Sequence, residues 1–383
     1  MVQELSTKTL PLENIHERLG ATFRDEGGWR VPASYGDMMA EYSAVRDGGA
    51  GLIDLSSRGR LRLSGSEAIL FLNGLITNDM KTLAAHHWMP AVFPNVQGRL
   101  IAAVRVMRLS DDTEKEQPVF LLDTEAANHE VVLKNIGRFT MAGDFHVADV
   151  SDETVQLAIQ GRNAAAIASA ALGATVGDLA RDGVAEVTWE QSVVTVIRAT
   201  HTGEDGFDLV VATSRAEELW ESIIKAGAQP VGHDALDTLR IEAGIAAFGR
   251  DMDETNVVTE TNLDHAISFT KGCYLGQEII IRIKHRGHVA KKLTGLLFAR
   301  KEQIQPGATI VSAEGKEIGR VTSATFSPRL GVSIALGYVR YEYLGSGTEV
   351  MAQVDGGVLQ ATVHALPFVG HLDQENKVSS DHA

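Results

Sequence analysis

The chain is poor in cysteine: Cys273 is the only one among 383 residues, and aromatic residues make up 6%. A single cysteine cannot form an intramolecular disulfide, so the disulfide framework of a small secreted domain is excluded. No run approaches the ~20 apolar residues that a membrane-spanning helix needs. The first twenty residues also lack the basic start and continuous apolar core of a signal peptide. These absences predict a protein of the reducing cytoplasm with no membrane partner.

Positive charge is also scarce, because 35 Lys and Arg face 50 Asp and Glu, for a formal net charge of −15. Such a chain repels nucleic acid and acidic membranes, so direct nucleic-acid binding is not expected. The segment Arg282–Lys292 differs, since it contains no acidic residue. It is a candidate surface for a polyglutamate tail, a phosphate or RNA, or an ordinary cationic patch. Two histidines there, His285 and His288, are too few to predict a metal site.

Short helical and extended patterns alternate up to about residue 290 without a strict repeating order. This alternation favours an α+β fold over a doubly wound parallel sheet. From Leu293 to Gly370 strand-like pieces are separated by glycine-rich turns and helical periodicity is absent after Cys273. This part predicts a closed or nearly closed β module of five or six strands. The polar tail from His371 is predicted to be disordered.

The turn from His201 to Asp208 brings a histidine together with three carboxylates, those of Glu204, Asp205 and Asp208. A carboxylate can accept two hydrogen bonds from an N–H and NH₂ edge such as that of a pterin or guanine. The alternative is an acidic, solvated hairpin, because Gly, Asp and Glu are common in turns.

The predicted helix around Arg240 places Asp237 and Arg240 three residues apart, on one helix face. A surface ion pair explains this spacing. The alternative is that Arg240 binds a ligand carboxylate, for which its guanidinium is well shaped.

The segment Lys271-Gly272-Cys273-Tyr274-Leu275-Gly276-Gln277-Glu278 sets the single cysteine beside a lysine and between glycines. A neighbouring cation favours the thiolate, and glycines let the backbone approach a ligand closely. This pattern fits a reactive cysteine, whereas the alternative is a buried structural cysteine.

The same segment resembles the signature of YgfZ-type folate-binding proteins, relatives of the aminomethyltransferase (T-protein) of the glycine cleavage system. Further blocks resemble the T-protein superfamily: Gly51–Ser56, Gly65–Ala68, Thr77–Asp79, Thr202–Asp208 and Leu239–Gly244. The resemblance implies a ring of three domains around a folate site, with two interleaved α+β domains and a C-terminal β-barrel. We assign residues 1–34 to an N-terminal extension, 35–289 to the interleaved domains, 290–370 to the barrel and 371–383 to a disordered tail.

The resemblance also implies site residues for tetrahydrofolate or a derivative. Asp208 matches a glutamate that contacts the pterin, and Arg240 matches an arginine that contacts the folate. His201 stands where the family more often has a ligand-contacting tyrosine, and Glu204 is predicted to join the same site.

One departure concerns catalysis. Transferases of this family resemble Asn-x-x-Gly-Gly-x-x-Asp-Asp, whereas this chain reads Asn95-Val96-Gln97-Gly98-Arg99-Leu100-Ile101-Ala102-Ala103. Alanine at both acidic positions removes a general acid or base, a loss that typically costs ~10²- to 10⁴-fold in rate. The departure predicts that glycine-cleavage activity is absent, and it leaves open whether the protein is an enzyme.

The resemblance thus favours a folate-binding accessory protein that supports assembly or repair of iron–sulfur enzymes, with an indirect effect on tRNA modification. Its partners would be folate and iron–sulfur client proteins or assembly factors, and Cys273 would serve redox or transient cluster chemistry. One cysteine cannot fill the four-thiolate shell typical of a stable cluster. The alternative is a folate-dependent aminomethyl- or methyltransferase that uses Glu204 or Asp205 as its acid. An RNA-binding module built on Arg282–Lys292 is a third hypothesis, which the lack of interleaved aromatic residues disfavours.

Overall fold

The computed structural model describes residues 7–112, 117–141 and 143–370. The tail 371–383, for which the sequence predicts disorder, lies outside the described residues. The described residues form a three-stranded sheet, a six-stranded sheet, a five-stranded sheet and a closed barrel.

The α-helices of the described residues are α1 (Glu13–Arg18), α2 (Met38–Arg46), α3 (Ala68–Leu75), α4 (His129–Gly137), α5 (Ala164–Leu172), α6 (Ala216–Lys225), α7 (His233–Glu242) and α8 (Gln277–Arg286). The strands are β1 (Lys8–Thr9), β2 (Thr22–Glu26), β3 (Trp29–Ser34), β4 (Gly51–Asp54), β5 (Gly59–Ser64), β6 (Trp88–Pro94), β7 (Leu100–Arg108), β8 (Val119–Thr124), β9 (His146–Asp149), β10 (Thr154–Gln160), β11 (Val184–Trp189), β12 (Ser192–Arg198), β13 (Gly206–Ala212), β14 (Gln229–Pro230), β15 (Lys291–Phe298), β16 (Thr309–Val311), β17 (Glu317–Ser327), β18 (Val332–Arg340), β19 (Glu349–Val354) and β20 (Gly357–His364).

The segment ahead of Tyr35 folds as α1 and a small sheet in the order β1-β3-β2. His16 of α1 is fully buried, and its Nε2 lies 2.9 Å from Oδ2 of Asp54 in β4. Its Nδ1 lies 2.8 Å from the hydroxyl oxygen of Tyr35. These contacts tie the N-terminal segment to the six-stranded sheet.

Two sheets share the part of the chain before the barrel. The six-stranded sheet has the order β11-β12-β13-β10-β4-β14, and the five-stranded sheet has the order β6-β7-β8-β5-β9. All five strands of the second sheet lie between β4 and β10 in sequence, so one unit is inserted into the other. The expected interleaving of two α+β units is therefore confirmed.

Successive side chains along a strand point to opposite faces of its sheet, so the two faces of the six-stranded sheet pack against different elements. Phe207 and Leu209 of β13 join a core with α5 and α6 on one face. Asp208 and Val210 point to the opposite face, where Val210 packs against Met107 of the five-stranded sheet. The space between the two sheets is therefore filled by apolar side chains in one part and by the buried Asp208 in another.

The C-terminal strands close into a barrel in the order β15-β18-β17-β16-β19-β20, which confirms the predicted β module. The sequence indicates strands at Ile334–Val339 and Val358–His364 but none between them, where the structure adds β19 (Glu349–Val354). Outside the barrel wall, Leu336 and Tyr338 of β18 pack with Ile241 of α7. The barrel thus rests on the helix that carries Arg240.

One expectation is wrong, because helix α8 follows Cys273 where helical periodicity was predicted to be absent. Its run Ile279-Ile280-Ile281 is β-branched and favours a strand by propensity. Ile280 is fully buried in a cluster with Val258 and Tyr274, and this packing overrides the propensity. Half of the basic segment therefore lies on a helix, with Arg282, Lys284 and His285 exposed.

Candidate functional site

A buried cluster of opposite charges joins the two sheets. Asp208 of β13 is 0% exposed and Asp123 of β8 is 1% exposed. Arg105 of β7 bridges them: its Nη2 lies 2.7 Å from Oδ2 of Asp208 and also pairs with Oδ2 of Asp123. The register of the five-stranded sheet sets Arg105 directly opposite Asp123. Pairing of this kind is what allows charges to be buried.

Two further side chains complete the cluster. Arg58, in the turn between β4 and β5, pairs with Asp123 through Nη2 at 2.5 Å. Gln156 of β10 donates from Nε2 to Asp123 and to Asp208, each at 3.0 Å. Among the described residues, the buried Oε1 of Gln156 and the buried Nε of Arg105 have no hydrogen-bond partner. The cluster therefore keeps one buried acceptor and one buried donor without a protein partner.

Both carboxylates of the cluster stay ionised at neutral pH. Burial alone would raise the pKa of Asp208, but His201 and Arg105 outweigh it and hold that pKa at about 2. Burial likewise opposes ionisation of Asp123, yet Arg105 and Arg58 keep the pKa of Asp123 well below its usual range. Asp208 and Asp123 are therefore fixed negative charges and hydrogen-bond acceptors.

His201 reaches Asp208 from the turn that precedes β13. Its Nε2 lies 2.9 Å from Oδ1 and 3.0 Å from Oδ2 of Asp208, and its side chain is 18% exposed. The turn packs against the end of α7: a Cβ on Gly203 would lie 3.1 Å from that of Ala243 and 3.7 Å from the carbonyl oxygen of Val369. The predicted pair of His201 and Asp208 is thus brought together at the junction of the two sheets, α7 and the chain leaving the barrel.

Glu204 does not join this pair. It is 4% exposed, and its Oε1 accepts a hydrogen bond of 2.8 Å from Nη1 of Arg46 in α2. Arg46 also pairs with the buried Glu242 of α7. The geometry gives Glu204 a role in joining the turn to α2, and its contact with folate stays a prediction.

Arg240 joins α7 to the barrel. Its Nη1 lies 2.7 Å from Oδ2 of Asp251, its Nη2 donates to Oγ of Ser323 in β17 at 3.0 Å, and its Nε pairs with Asp237 at 2.8 Å. The predicted pair with Asp237 is present, but Arg240 is 7% exposed and the pair is therefore not on the surface. Arg240 also lines a cavity of about 720 Å³ together with Met38 and Thr325. Its predicted contact with a ligand carboxylate stays a prediction.

The signature segment Lys271–Glu278 divides into anchored and exposed residues. Lys271 is buried, and its Nζ donates to the carbonyl oxygens of Asn73, Ile76 and Asn78 at 2.6 to 2.8 Å. Its ammonium therefore anchors the segment to the end of α3. Cys273 is exposed, so the alternative of a buried structural cysteine is wrong.

Two further residues of the segment, Tyr274 and Gly276, have defined places in the fold. Tyr274 is 7% exposed and lies in a cluster with Val92 and Leu100. Gly276 is the left-handed residue before α8, which begins with Gln277 and has Glu278 in its first turn. These contacts give Tyr274 and Gly276 structural roles.

The two alanines at the positions where the resemblance implies acidic residues occupy different surroundings. Ala102 is fully buried in the core of the five-stranded sheet, whereas Ala103 packs beside the cluster that contains Tyr274. Because side chains alternate along β7, Ala103 lies on the same face as Arg105. The signature segment therefore lies next to Ala103, one of the two positions where the resemblance implies an acid.

Sequence reasoning missed four members of the cluster that contains Asp208: Arg58, Arg105, Asp123 and Gln156. Arg105 left one signal, since it interrupts the mainly apolar run Leu100–Leu109. A charged residue inside a buried strand needs a partner, and this requirement could have identified it.

Within the described residues, no helix is both long and apolar enough to cross a membrane. Among the residues that the structure describes, no group of three or more His, Cys, Asp or Glu side chains is arranged to hold a metal ion.

Comparison with known proteins agrees with the architecture. The model of the GCVT N-terminal domain matches residues 12–271, and the model of the glycine cleavage T-protein C-terminal barrel domain matches residues 291–370. A probable aminomethyltransferase of Natronomonas pharaonis is 35% identical over 369 residues, which cover 95% of this chain and 99% of that protein. An aminomethyltransferase of Rubrobacter xylanophilus is 33% identical over 359 residues, covering 94% of this chain and 93% of that protein.

A solved structure gives the same result. The crystal structure of the glycine cleavage system aminomethyltransferase T from Bartonella henselae aligns with a TM-score of 0.88 and 28% identity, covering 95% of this chain and 98% of that one. The expected fold, two interleaved α+β domains followed by a β-barrel, is confirmed. Two family models that together span most of the sequence, and relatives that align along nearly all of it, show that this chain belongs to the glycine cleavage T-protein family.

Proposed function

We propose that this protein binds tetrahydrofolate or a derivative and transfers an aminomethyl or methyl group in a folate-dependent reaction. The observation that carries the proposal is the buried cluster around Asp208, with its unpartnered Gln156 Oε1 and Arg105 Nε. The names of the relatives, which are aminomethyltransferases, support the same class of reaction.

The cluster fits the edge of a pterin. That edge carries N–H and NH₂ donors next to a carbonyl acceptor, and Gln156 Oε1 and Arg105 Nε supply the complementary acceptor and donor. Asp208, already ionised, would add a charge-assisted hydrogen bond. His201 would lie beside the bound ring. The bound folate would supply the amine nitrogen that receives the one-carbon group.

The residues expected to replace the family's acid are already engaged. Glu204 is buried against Arg46, and Asp205 pairs with Arg198 through two contacts, of 3.0 and 2.9 Å. Each of these carboxylates is thus paired with an arginine of the protein itself. We therefore do not assign the missing acid to Glu204 or Asp205.

A second candidate function is the accessory role in iron–sulfur enzyme assembly or repair, implied by the YgfZ-type signature. Two observations favour it: alanine at positions 102 and 103, and the exposure of Cys273. Under this hypothesis folate binds but is not converted. The names of the relatives support the transferase instead.

The proposal is tested by calorimetric titration with tetrahydrofolate. The unmodified protein is compared with Asp208→Asn and Gln156→Leu. The control is Asp111→Asn, because the side chain of Asp111 is about half exposed and pairs with Arg108 at the surface. The proposal is supported if binding is saturable, if the first two changes weaken it by about tenfold or more, and if the control change leaves it unaltered. Loss of one buried hydrogen bond weakens binding by roughly this factor. Absence of saturable binding to the unmodified protein would overturn it.

A further inference from the structure

The pair of His201 and Asp208 has the geometry of a proton-transfer dyad. Nε2 of His201 is within 3.0 Å of both oxygens of Asp208, and the carboxylate is fully buried. In the described part of the chain Nδ1 of His201 makes no hydrogen bond to another protein group. The imidazole thus uses one nitrogen for the protein and keeps the other for a ligand.

The neighbours of the pair fix the orientation of that ring. Asp208 is ionised, so it accepts the N–H of Nε2 and leaves the lone pair of a neutral imidazole on Nδ1. The backbone nitrogen of His201 donates to Oε1 of Gln160 at 2.8 Å, which holds the residue in place. Around the carboxylate lie Arg105 from β7, Asp123 from β8 and Gln156 from β10. None of these can accept a proton as readily as an imidazole at neutral pH.

At the two positions where the resemblance implies acids, the chain carries no proton acceptor. Ala103, on the Arg105 face of β7, carries no titratable group, and Ala102 is buried in the core. Glu204 and Asp205 are bound to arginines. The partly exposed His201 is therefore the group with both the chemistry and the access.

We propose that His201 is a catalytic proton acceptor in the one-carbon transfer, positioned by Asp208. This inference rests on the proposed function and adds to it the group that does the work of the missing acids.

The proton and the electrons balance in a single displacement. Nδ1 of His201 takes the proton from the acceptor amine as that nitrogen forms its bond to the one-carbon group. The bond from the carbon to its leaving group breaks, and the leaving group departs with the electron pair. With an aminomethyl thioether as donor, the imidazolium, stabilised by Asp208, then returns the proton to the departing thiolate. With a methyl sulfonium donor the departing thioether is neutral, so the proton passes to water; in both cases the neutral imidazole beside ionised Asp208 is restored.

Three variants test the assignment. His201→Gln can keep the hydrogen bond to Asp208 but cannot carry the proton, and His201→Ala leaves a space for added imidazole. His146→Gln is the control, because His146 also pairs with an aspartate, Asp144, at 2.9 Å, but its side chain is 65% exposed. Tetrahydrofolate serves as acceptor, with an aminomethyl thioether and a methyl sulfonium compound tried in parallel as donors.

In single turnovers we expect His201→Gln to lose ~10²- to 10⁴-fold in transfer rate. Tetrahydrofolate affinity should stay within about threefold, because the variant can keep the hydrogen bond to Asp208. The pH dependence of the rate should flatten, and imidazole should restore part of the activity of His201→Ala. Independently of activity, the ring resonances of His201 in NMR spectra should move when tetrahydrofolate is added, and those of His146 should not.

The outcomes separate the two proposals. If the unmodified protein transfers the group and His201→Gln does so within about threefold of its rate with the same pH profile, the dyad is wrong and the proposed function stands; a true acid–base role would cost far more. If the unmodified protein binds tetrahydrofolate and no donor yields product, both the transfer function and the dyad fail. If tetrahydrofolate does not bind, the folate site itself is wrong.

Discussion

Gly276 packs directly against Asn95: a Cβ on Gly276 would lie 2.2 Å from the carbonyl oxygen of Asn95. The φ angle of Gly276 is 76°, in the region that favours glycine. This contact seats the signature segment on the turn ahead of β7, the strand that carries Ala102, Ala103 and Arg105. The glycine of the signature therefore positions the segment within the fold.

The first prediction concerns that glycine. Gly276→Ala should lower the free energy of unfolding by about 2–4 kcal/mol, because the methyl group meets backbone in a left-handed conformation. Gly272→Ala is the matched control in the same segment, since a Cβ there meets nothing within 4 Å. Urea unfolding checks both, and an equal effect of the two changes would contradict the packing argument.

The second prediction concerns Lys271. Lys271→Met removes three hydrogen bonds to carbonyl oxygens at the end of α3 and should cost about 2–4 kcal/mol of stability. Lys81→Met, at an exposed position, should change stability by less than about 0.5 kcal/mol. Chemical denaturation measures the difference, and a Lys271→Met protein as stable as the control would refute the anchoring role.

The third prediction concerns the acid stability of the buried cluster. The pKa of Asp208 is lowered in the folded protein to about 2, so its ionisation stabilises the fold above the unfolded pKa of ~3.9. This contribution is lost as pH falls towards 2. Asp208→Asn should therefore cost about 3–5 kcal/mol at pH 7, where it breaks a buried ion cluster. Its deficit should shrink between about pH 4 and pH 2. The midpoints of urea unfolding of the unmodified protein and of Asp208→Asn, measured across this pH range, test this. A stability deficit of the variant that does not change with pH would contradict the electrostatic explanation.

The fourth prediction concerns the joint between α7 and the barrel. Arg240→Ala leaves Asp251 buried without its ion-pair partner and should cost about 3–5 kcal/mol of stability. Ser323→Ala removes one hydrogen bond to the same guanidinium and should cost about 1 kcal/mol. Limited proteolysis of the stretch 246–257 should also speed up in Arg240→Ala. Similar losses in both variants would show that the ion pair with Asp251 contributes little.

Elements with a clear local pattern could be predicted from the sequence. Helix α3, Ala68–Leu75, has the bounds that its periodicity indicates, and the barrel follows from short strands with glycine-rich turns. Helix α8 could not be predicted this way, since Ile279-Ile280-Ile281 favours a strand until Ile280 is buried. The interleaving of the two sheets was predicted only from the family resemblance. No local pattern specifies that strands far apart in the sequence, such as β4 and β10, lie side by side in one sheet. The domain limits at 34/35 and 289/290 stay predictions.

The site could be predicted in part for the same reason. His201 and Asp208 lie seven residues apart in one turn and strand, so their pairing is local. Gln156 reaches Asp208 from the neighbouring strand β10 of the same sheet, whereas Arg105 and Asp123 join the cluster from the other sheet. Pairing of distant strands and packing of the two sheets bring them there. The lysine near Cys273 was expected to favour the thiolate, but Lys271 directs its Nζ to carbonyl oxygens of the segment 73–78. The local sequence shows that a lysine lies near the cysteine, but the tertiary fold determines which groups its ammonium contacts.

The most direct test of the account is mass spectrometry of the folate after single-turnover incubation of the protein with tetrahydrofolate and an aminomethyl thioether or methyl sulfonium donor. The account predicts a folate that carries the new one-carbon group, in an amount that follows the protein concentration and falls strongly in Asp208→Asn. Tetrahydrofolate that binds and returns unchanged with every donor would contradict a transferase and favour the accessory role in iron–sulfur enzyme assembly.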